Sequence, residues 1–356
     1  MPDNSILIRN IFHMLCYAFH VLRQRNFKDI EAEDFQHVQD MLAAILARGI
    51  AQQLKQGLYR TYITKTDDLK AVRGKINLLE TMRLQAQMIP RVNCTYDELS
   101  ENNELNQILR KTAYALISSS EVAKPRKDAL KKEMLYFRNV DDIDLATVQW
   151  RRLEIHRNNR SYQMLMNICQ MAWMSLLPST TAGDKRFSMF DEDSMPSLYE
   201  KFILQYYRQH YPMLHANDNT IVWDVAEDTN PAMVRMLPGM HSDIMLQYGD
   251  KKLIIDAKYY QHALTSYMGK QMLHSANLYQ IYTYVKNEDK GNTGKVSGML
   301  LYARTTEDVP PFMDAVIGGN RIQATALDMN RPFQEIAEKL DRIVDETFDG
   351  ACERLA

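Results

Sequence analysis

Asp243, Asp256 and Lys258 combine the side-chain types and spacing that metal-assisted phosphate chemistry requires. They lie in His241-Ser242-Asp243-Ile244-Met245-Leu246 and in Leu253-Ile254-Ile255-Asp256-Ala257-Lys258, joined by the polar turn Tyr248-Gly249-Asp250-Lys251. Side chains alternate along a strand, so Asp256 and Lys258 share one face while Ile255 and Ala257 take the other. A hairpin would bring Asp243 across the ladder to Asp256. Two carboxylates buried together are costly unless a cation compensates them. A hard divalent ion such as Mg2+ takes oxygen ligands of this kind together with water and phosphate. Bound there, it would lower the pKa of a water and stabilise charge on the phosphate. Lys258 would orient that water or neutralise the developing charge. The competing reading is a structural hairpin with surface charges, because D…DxK is short and recurs by chance. Against that reading, the charges close an apolar run, LIIDAK, as they would at the end of a buried strand.

The elements that must position these residues follow from periodicity. A helix from about Ser194 to His210 carries Leu198, Phe202 and Tyr206, with Glu200 among its polar positions. Strands are predicted at 219–224, 240–248, 252–258, 297–304 and 321–328, with helices at roughly 270–287 and 332–347. Gln280 and Tyr284 are four apart and share a helix face. The result is an α/β domain with a central mixed sheet flanked by helices. Upstream, apolar stripes predict helices at 11–22, from Val38 to Leu54, from Leu105 to Leu116 and from Leu165 to Leu176. Between them Leu58–Ile76 reads as a β-hairpin turning at TKTDD, which makes the first half an α+β domain. The charged stretch 121–132, with Pro125, reads as a surface connection, and 178–196 as a loop. A length of 356 residues favours two domains, here 1–160 and 161–356.

Composition narrows the classes. The chain is 46% hydrophobic and 25% charged, which excludes a largely disordered protein. No apolar run reaches the ~20 positions of a membrane span, and the N-terminus lacks a signal-peptide pattern, so a cytoplasmic protein is expected. Cys16, Cys94, Cys169 and Cys352 are scattered without metal-ligand spacing, as expected of idle thiols in a reducing compartment. His13, His20, His241 and His274 show no metal spacing either. The net charge of −2 offers no global attraction for nucleic acid, so DNA capture would need local patches or a partner. No GxxxxGK[ST] loop is present, and Gly74 in Arg73-Gly74-Lys75 does not make one, so nucleotide hydrolysis is not expected of this chain. Tyr259 and Tyr260 could stack near DNA or pack in the core.

The combination of Asp243, Asp256-Ala257-Lys258 and a following Gln280/Tyr284 helix resembles the PD-(D/E)XK nuclease superfamily. LIRNIFHMLCYAF (7–19), RGKINLLETMR (73–83), YDELSENNELNQILRKT (96–112), LPGMHSDIML (237–246), and IIDAKYY with MGKQMLHSANLYQIYTY (254–284) resemble the McrC family, in order and over nearly the whole chain. The resemblance implies a restriction-endonuclease-like domain and a type IV, modification-dependent restriction endonuclease subunit that cuts DNA. It implies catalytic roles for Asp243, Asp256, Lys258, Gln280 and Tyr284. The implied metal set is Asp243, Asp256 and Ala257, with Glu200 as an accessory ligand for Mg2+, or Mn2+ in its place. Ser242 stands where the superfamily pattern has Pro, which is no ligand. The implied partner is an McrB-like AAA+ GTPase hexamer that recognises methylated cytosine in double-stranded DNA. This chain would dock on it through its N-terminal half, with Arg73 and Lys75 as contacts, and would stimulate GTP hydrolysis. Two other classes stay open: a stand-alone repair-type nuclease, and a non-enzymatic regulator of the GTPase.

Overall fold

The computed structural model describes residues 5–19, 35–155, 160–176, 194–259, 264–267, 270–304 and 311–355. The chain forms two compact units, Leu42–Leu177 and a second composed of Met1–Met41 with Pro178–Ala356. A single cut near residue 160 does not describe this division. The helix that follows that point packs with the first unit, and the opening helix of the chain belongs to the second.

In the Leu42–Leu177 unit, α2 (Val38–Gln56), most of whose residues lie in this unit, is followed by β1 (Thr61–Leu69), β2 (Lys75–Ile76), α3 (Leu78–Ala86) and β3 (Val92–Ser100). The unit closes with α4 (Glu104–Ser118), α5 (Lys124–Met134) and α6 (Arg160–Leu176). The expected hairpin over Leu58–Ile76 does not form. TKTDD lies inside β1, and β1 and β2 both pair antiparallel with β3, in the order β1-β3-β2. Cross-strand polar bonds explain the difference. Thr64 donates to Asp97 at 2.8 Å, the Thr66 and Thr95 hydroxyls meet at 2.9 Å, and Asn93 donates to Asp68 at 2.6 Å. A strand stabilised by such pairs needs no apolar face, so its polar centre looks like a turn in the sequence. The connection from β1 to β2 crosses β3 and ends at Gly74, φ +70°, where a Cβ would lie 2.4 Å from the Thr95 carbonyl oxygen.

The stretch 121–132, expected as a connection, is largely helical. Pro125 sits in the first turn of α5, where a missing N–H is harmless, and Leu130 and Met134 bury one face. Gly49 on α2 lets α6 approach closely, since a Cβ there would meet Leu165 Cδ2 at 2.5 Å.

In the other unit, α1 (Ser5–Ala18) packs on α7 (Ser194–His210). Short pieces follow: β4 (Thr220–Ile221), α8 (Pro231–Val234) and β5 (Met240–His241), with β4 and β5 paired. The main sheet is built from β6 (Ile244–Tyr248), β7 (Lys251–Tyr259), β10 (Val296–Arg304), β11 (Met313–Ile317) and β12 (Asn320–Asp328). A small hairpin, β8 (Leu264–Tyr267) with β9 (Lys270–Leu273), precedes α9 (Ser275–Glu288), and α10 (Phe333–Phe348) comes last. The helix expected from about 270 therefore starts at Ser275, because 270–273 is a return strand.

The sheet order is β11-β12-β10-β7-β6, with β7, β10 and β12 parallel and the two outer strands antiparallel. This is a mixed α/β architecture. Ile254, Leu300, Tyr302, Ile322, Ala324 and Ala326 form one buried face with Ile281, Tyr284 and Val285 of α9. The alternate side chains Leu253, Ile255, Met299, Leu301 and Leu327 are buried too, so both faces are covered. That double burial is why LIIDAK and VSGMLLYAR read as continuous apolar runs. Gly298 has no room for a side chain: a Cβ would meet Val285 at 2.7 Å and Ile281 at 2.8 Å, so its absence seats α9 tightly on β10. Among the described residues no helix is long and apolar enough to cross a membrane.

Candidate active site

The β6–β7 hairpin turns at Gly249, whose φ of +58° suits glycine, and Tyr248 pairs with Lys251. That register sets Ile244 opposite Ile255. Asp243 thus stands one residue outside the ladder, and its Oδ2 accepts the Ala257 N–H at 2.8 Å. Asp256 is 1% exposed, and its Oδ2 lies 2.8 Å from Lys258 Nζ. That contact is ionic. Among the described residues no hydrogen bond of ideal geometry reaches either Asp256 oxygen. Lys258 Nζ also donates to Gln280 Oε1 at 3.3 Å, and Gln280 Nε2 donates to the Tyr284 hydroxyl at 3.0 Å. Asp256, Lys258, Gln280 and Tyr284 therefore form one chain from β7 to α9.

The electrostatics identify a third carboxylate. Burial raises the pKa of Glu200 on α7, with Lys258 pulling it down and Asp256 pushing it up. Burial also pushes Asp243 up to about 7, reinforced by Asp256 and Glu200 and opposed by the Ala257 N–H and Lys258. Asp256 is raised by burial against the pull of Lys258. Two aspartates and a glutamate thus share one poorly solvated region, with Lys258 acting on all three and Lys201 on Glu200 alone, an arrangement short of positive charge.

The chemistry of this set fits a hard cation. Asp256 is almost wholly buried with a single cation in contact, Lys258 at 2.8 Å, while Asp243 and Glu200 add further negative charge to the same region. Among the described residues no three His, Cys, Asp or Glu side chains gather closely enough to hold a metal by themselves. A Mg2+ ion needs only one or two carboxylates, with water and phosphate filling its remaining positions.

Other predicted residues fall elsewhere. Arg73 stacks its guanidinium over Tyr96, 4.1 Å from the ring centroid, and lies 3.7 Å from Glu98. Lys75 is exposed on β2. Tyr259 is buried edge-on against Tyr199, so it packs in the core, while Tyr260 and His20 lie outside the described residues. His13 stacks on Phe333, and His241 Nδ1 meets the Thr220 hydroxyl at 3.1 Å. All four cysteines are free thiols. Arg304 ends VSGMLLYAR as Lys258 ends LIIDAK. The same signal, a charge closing an apolar strand, marks both.

Fold and site together define a mixed α/β protein with a carboxylate–lysine cluster at the carboxyl end of a central parallel strand. The chain belongs to the family described as "McrBC 5-methylcytosine restriction system component", which it matches over residues 3–303. It is 27% identical over 348 residues to "Type IV methyl-directed restriction enzyme EcoKMcrBC" of Escherichia coli strain K12, covering 97% of this chain and 99% of that one. A solved chain from a Thermococcus gammatolerans assembly of McrB AAA+ hexamers with bound McrC shares the fold. Its TM-score is 0.50 at 17% identity, over 94% of this chain and 76% of that chain.

Proposed function

We propose that this chain is the Mg2+-dependent endonuclease subunit of a methyl-directed restriction complex, cutting DNA at Asp243, Asp256 and Lys258. The observation that carries this reading is Asp256, 1% exposed and in contact with Lys258 at 2.8 Å, sharing its buried region with the carboxylates of Asp243 and Glu200. Asp243 and Asp256 would hold the ion, with the backbone at Ala257 and the Glu200 carboxylate completing the PD-(D/E)XK arrangement. When bound there, Mg2+ supplies a Lewis acid for the scissile phosphate and lowers the pKa of a water. Lys258, fixed between Asp256 and Gln280, places a positive charge where the phosphate becomes most negative. Tyr284 fixes Gln280, and so limits the freedom of the Lys258 ammonium.

The Escherichia coli relative is a methyl-directed restriction enzyme, and the Thermococcus assembly joins McrC to McrB AAA+ hexamers. By that likeness this chain acts with an McrB-like AAA+ GTPase hexamer on double-stranded DNA containing methylated cytosine. It stimulates the partner's GTP hydrolysis and docks through the N-terminal half, where Arg73 and Lys75 are exposed cations.

The test is cleavage of methylated and unmethylated plasmid with Mg2+, GTP and the cognate GTPase, comparing wild type with Asp256→Ala. Cleavage that requires methylation, GTP, partner and Asp256 supports the reading, with GTPase stimulation retained in the variant. Equal cleavage by the variant would remove Asp256 from the active site. Cutting by wild type without partner or GTP would make the chain a stand-alone nuclease.

A further inference from the structure

A cleft of about 170 Å³ opens beyond the ends of β10 and β12, lined by Arg304, Asp328, Arg331, Glu335, Ile336 and Lys339. Arg304 and Asp328 are register partners at the carboxyl ends of these parallel strands. In open α/β sheets that end is where ligands bind. Tyr302 pairs with Lys258 in register, so Arg304 lies one strand over and two residues farther on, on the same face as Asp256 and Lys258. Strand spacing and rise place it roughly 8 Å from Lys258, and Asp328 roughly 12 Å away. With a rise of about 3.4 Å per nucleotide along one strand, a few nucleotides cover that interval.

Charge within the cleft is uneven. Asp328 is engaged by Arg304 at 3.1 Å and approached by Arg331 at 3.8 Å. Lys339, half-buried on α10, closes no ion pair with Glu335, one turn earlier on the same helix, nor with any other described carboxylate. Its ammonium is held below the usual lysine range by burial and by Arg342, with Asp328 and Glu346 opposing. Among the described residues this half-buried cation, beside two arginines, closes no ion pair of its own.

We propose that this cleft seats a backbone phosphate of the DNA strand that passes the carboxylate–lysine cluster, with Lys339 and Arg331 as its contacts and Arg304 positioned by Asp328. The inference rests on the nuclease reading and adds to it a second anchoring point on the same strand. Phosphate groups carry no sequence information, so the contact fixes register on the duplex rather than specificity.

The experiment measures binding of fluorescent duplex DNA to the full chain in EDTA across a KCl titration. It compares wild type with Lys339→Gln, Arg331→Gln and Lys131→Gln. Arg331 is 63% exposed, so its replacement leaves folding intact even should Lys339→Gln unfold. Each cleft variant is expected to weaken binding about three- to ten-fold and to flatten the log–log salt slope by about 0.9, the signature of one lost phosphate contact. Lys131→Gln, on exposed α5, is expected to change neither. Slopes unchanged in both cleft variants, while wild type still cuts DNA in an Asp256-dependent way, would overturn the cleft and leave the nuclease standing. An equal effect of Lys131→Gln would show diffuse attraction, and also overturns it. Inorganic phosphate that raises the wild-type melting temperature but not that of Lys339→Gln, with DNA slopes unchanged, would assign the cleft to a free anion. Wild type that neither binds nor cuts DNA would overturn both readings.

Discussion

Asp243 carries two opposed demands. Its Oδ2 accepts the Ala257 N–H, a structural role that an amide oxygen can also fill, while its charge adds to a cluster with Asp256 and Glu200. We expect Asp243→Asn to raise the melting temperature of the metal-free protein by roughly 2–4 °C, about 1 kcal/mol, by relieving repulsion. The same change should lower cleavage by roughly a thousand-fold or more, on the scale of losing a preorganised electrostatic group. Thermal melts in EDTA and plasmid cleavage in Mg2+ check the two halves; a lower melting temperature would mean that the carboxylate serves the fold. Gln280 acts at one remove, through the Lys258 ammonium. Gln280→Leu should reduce kcat about ten-fold with KM for DNA little changed, while Tyr284→Phe should have the smaller effect.

At the scale of elements, two features hold α9 over the site. Gly298 lets the helix lie against β10, and Asn277 donates to the buried Tyr302 hydroxyl at 3.2 Å. Gly298→Val must displace Val285, Ile281 or Ile322. Overpacking of this kind typically costs about 1–3 kcal/mol, and it should also lower cleavage by moving Gln280. Urea denaturation together with activity measures this, and unchanged values in both would show that α9 sits independently of β10.

The end of α9 is tied down by Asp289, whose carboxylate accepts from the Thr293 and Gly294 N–H groups, the Thr293 hydroxyl and Asn320 Nδ2. These bonds outweigh the burial of the group and hold its pKa down at about 2. A folded value below the unfolded one near 3.8 stabilises at higher pH, and the gain disappears as pH falls toward 2. The shift corresponds to about 2 kcal/mol. Asp289→Asn should lose about that much near neutral pH and show a shallower loss of stability between about pH 4 and 2. Parallel curves for the two proteins would contradict this account.

For the whole molecule, the opening helix belongs with the C-terminal sheet. α1 buries Ile8, Ile11, Phe12, Met14 and Leu15, its Tyr17 hydroxyl meets His210 Nε2 at 2.9 Å, and Asn10 Nδ2 donates to the Met329 and Arg331 carbonyls at 2.8 Å. A chain lacking residues 1–19 should therefore lose the fold of the sheet-bearing unit and keep that of Leu42–Leu177. Limited proteolysis would show protection confined to residues 42–177. Protection of the sheet unit instead would mean that α1 is an accessory to it.

What the sequence determined by itself was local. Alternation and apolar runs located β7 and β10, helical stripes located α2, α4, α6, α7 and α10, and the LIIDAK ending singled out Asp256 and Lys258 before any neighbour was known. Pairing was not legible. β1, with its polar centre, is stabilised by partners on β3 between 23 and 39 residues away, and nothing within TKTDD announces them. Pro125 inside a charged stretch concealed a first helical turn. Tertiary structure alone decided that Glu200 shares the field of Asp256, that Gln280 reaches Lys258, that α1 crosses to the far end of the chain, and that Lys339 closes no ion pair among the described residues. Each of these depends on packing between segments far apart in sequence, and burial and electrostatic coupling exist only once those segments meet.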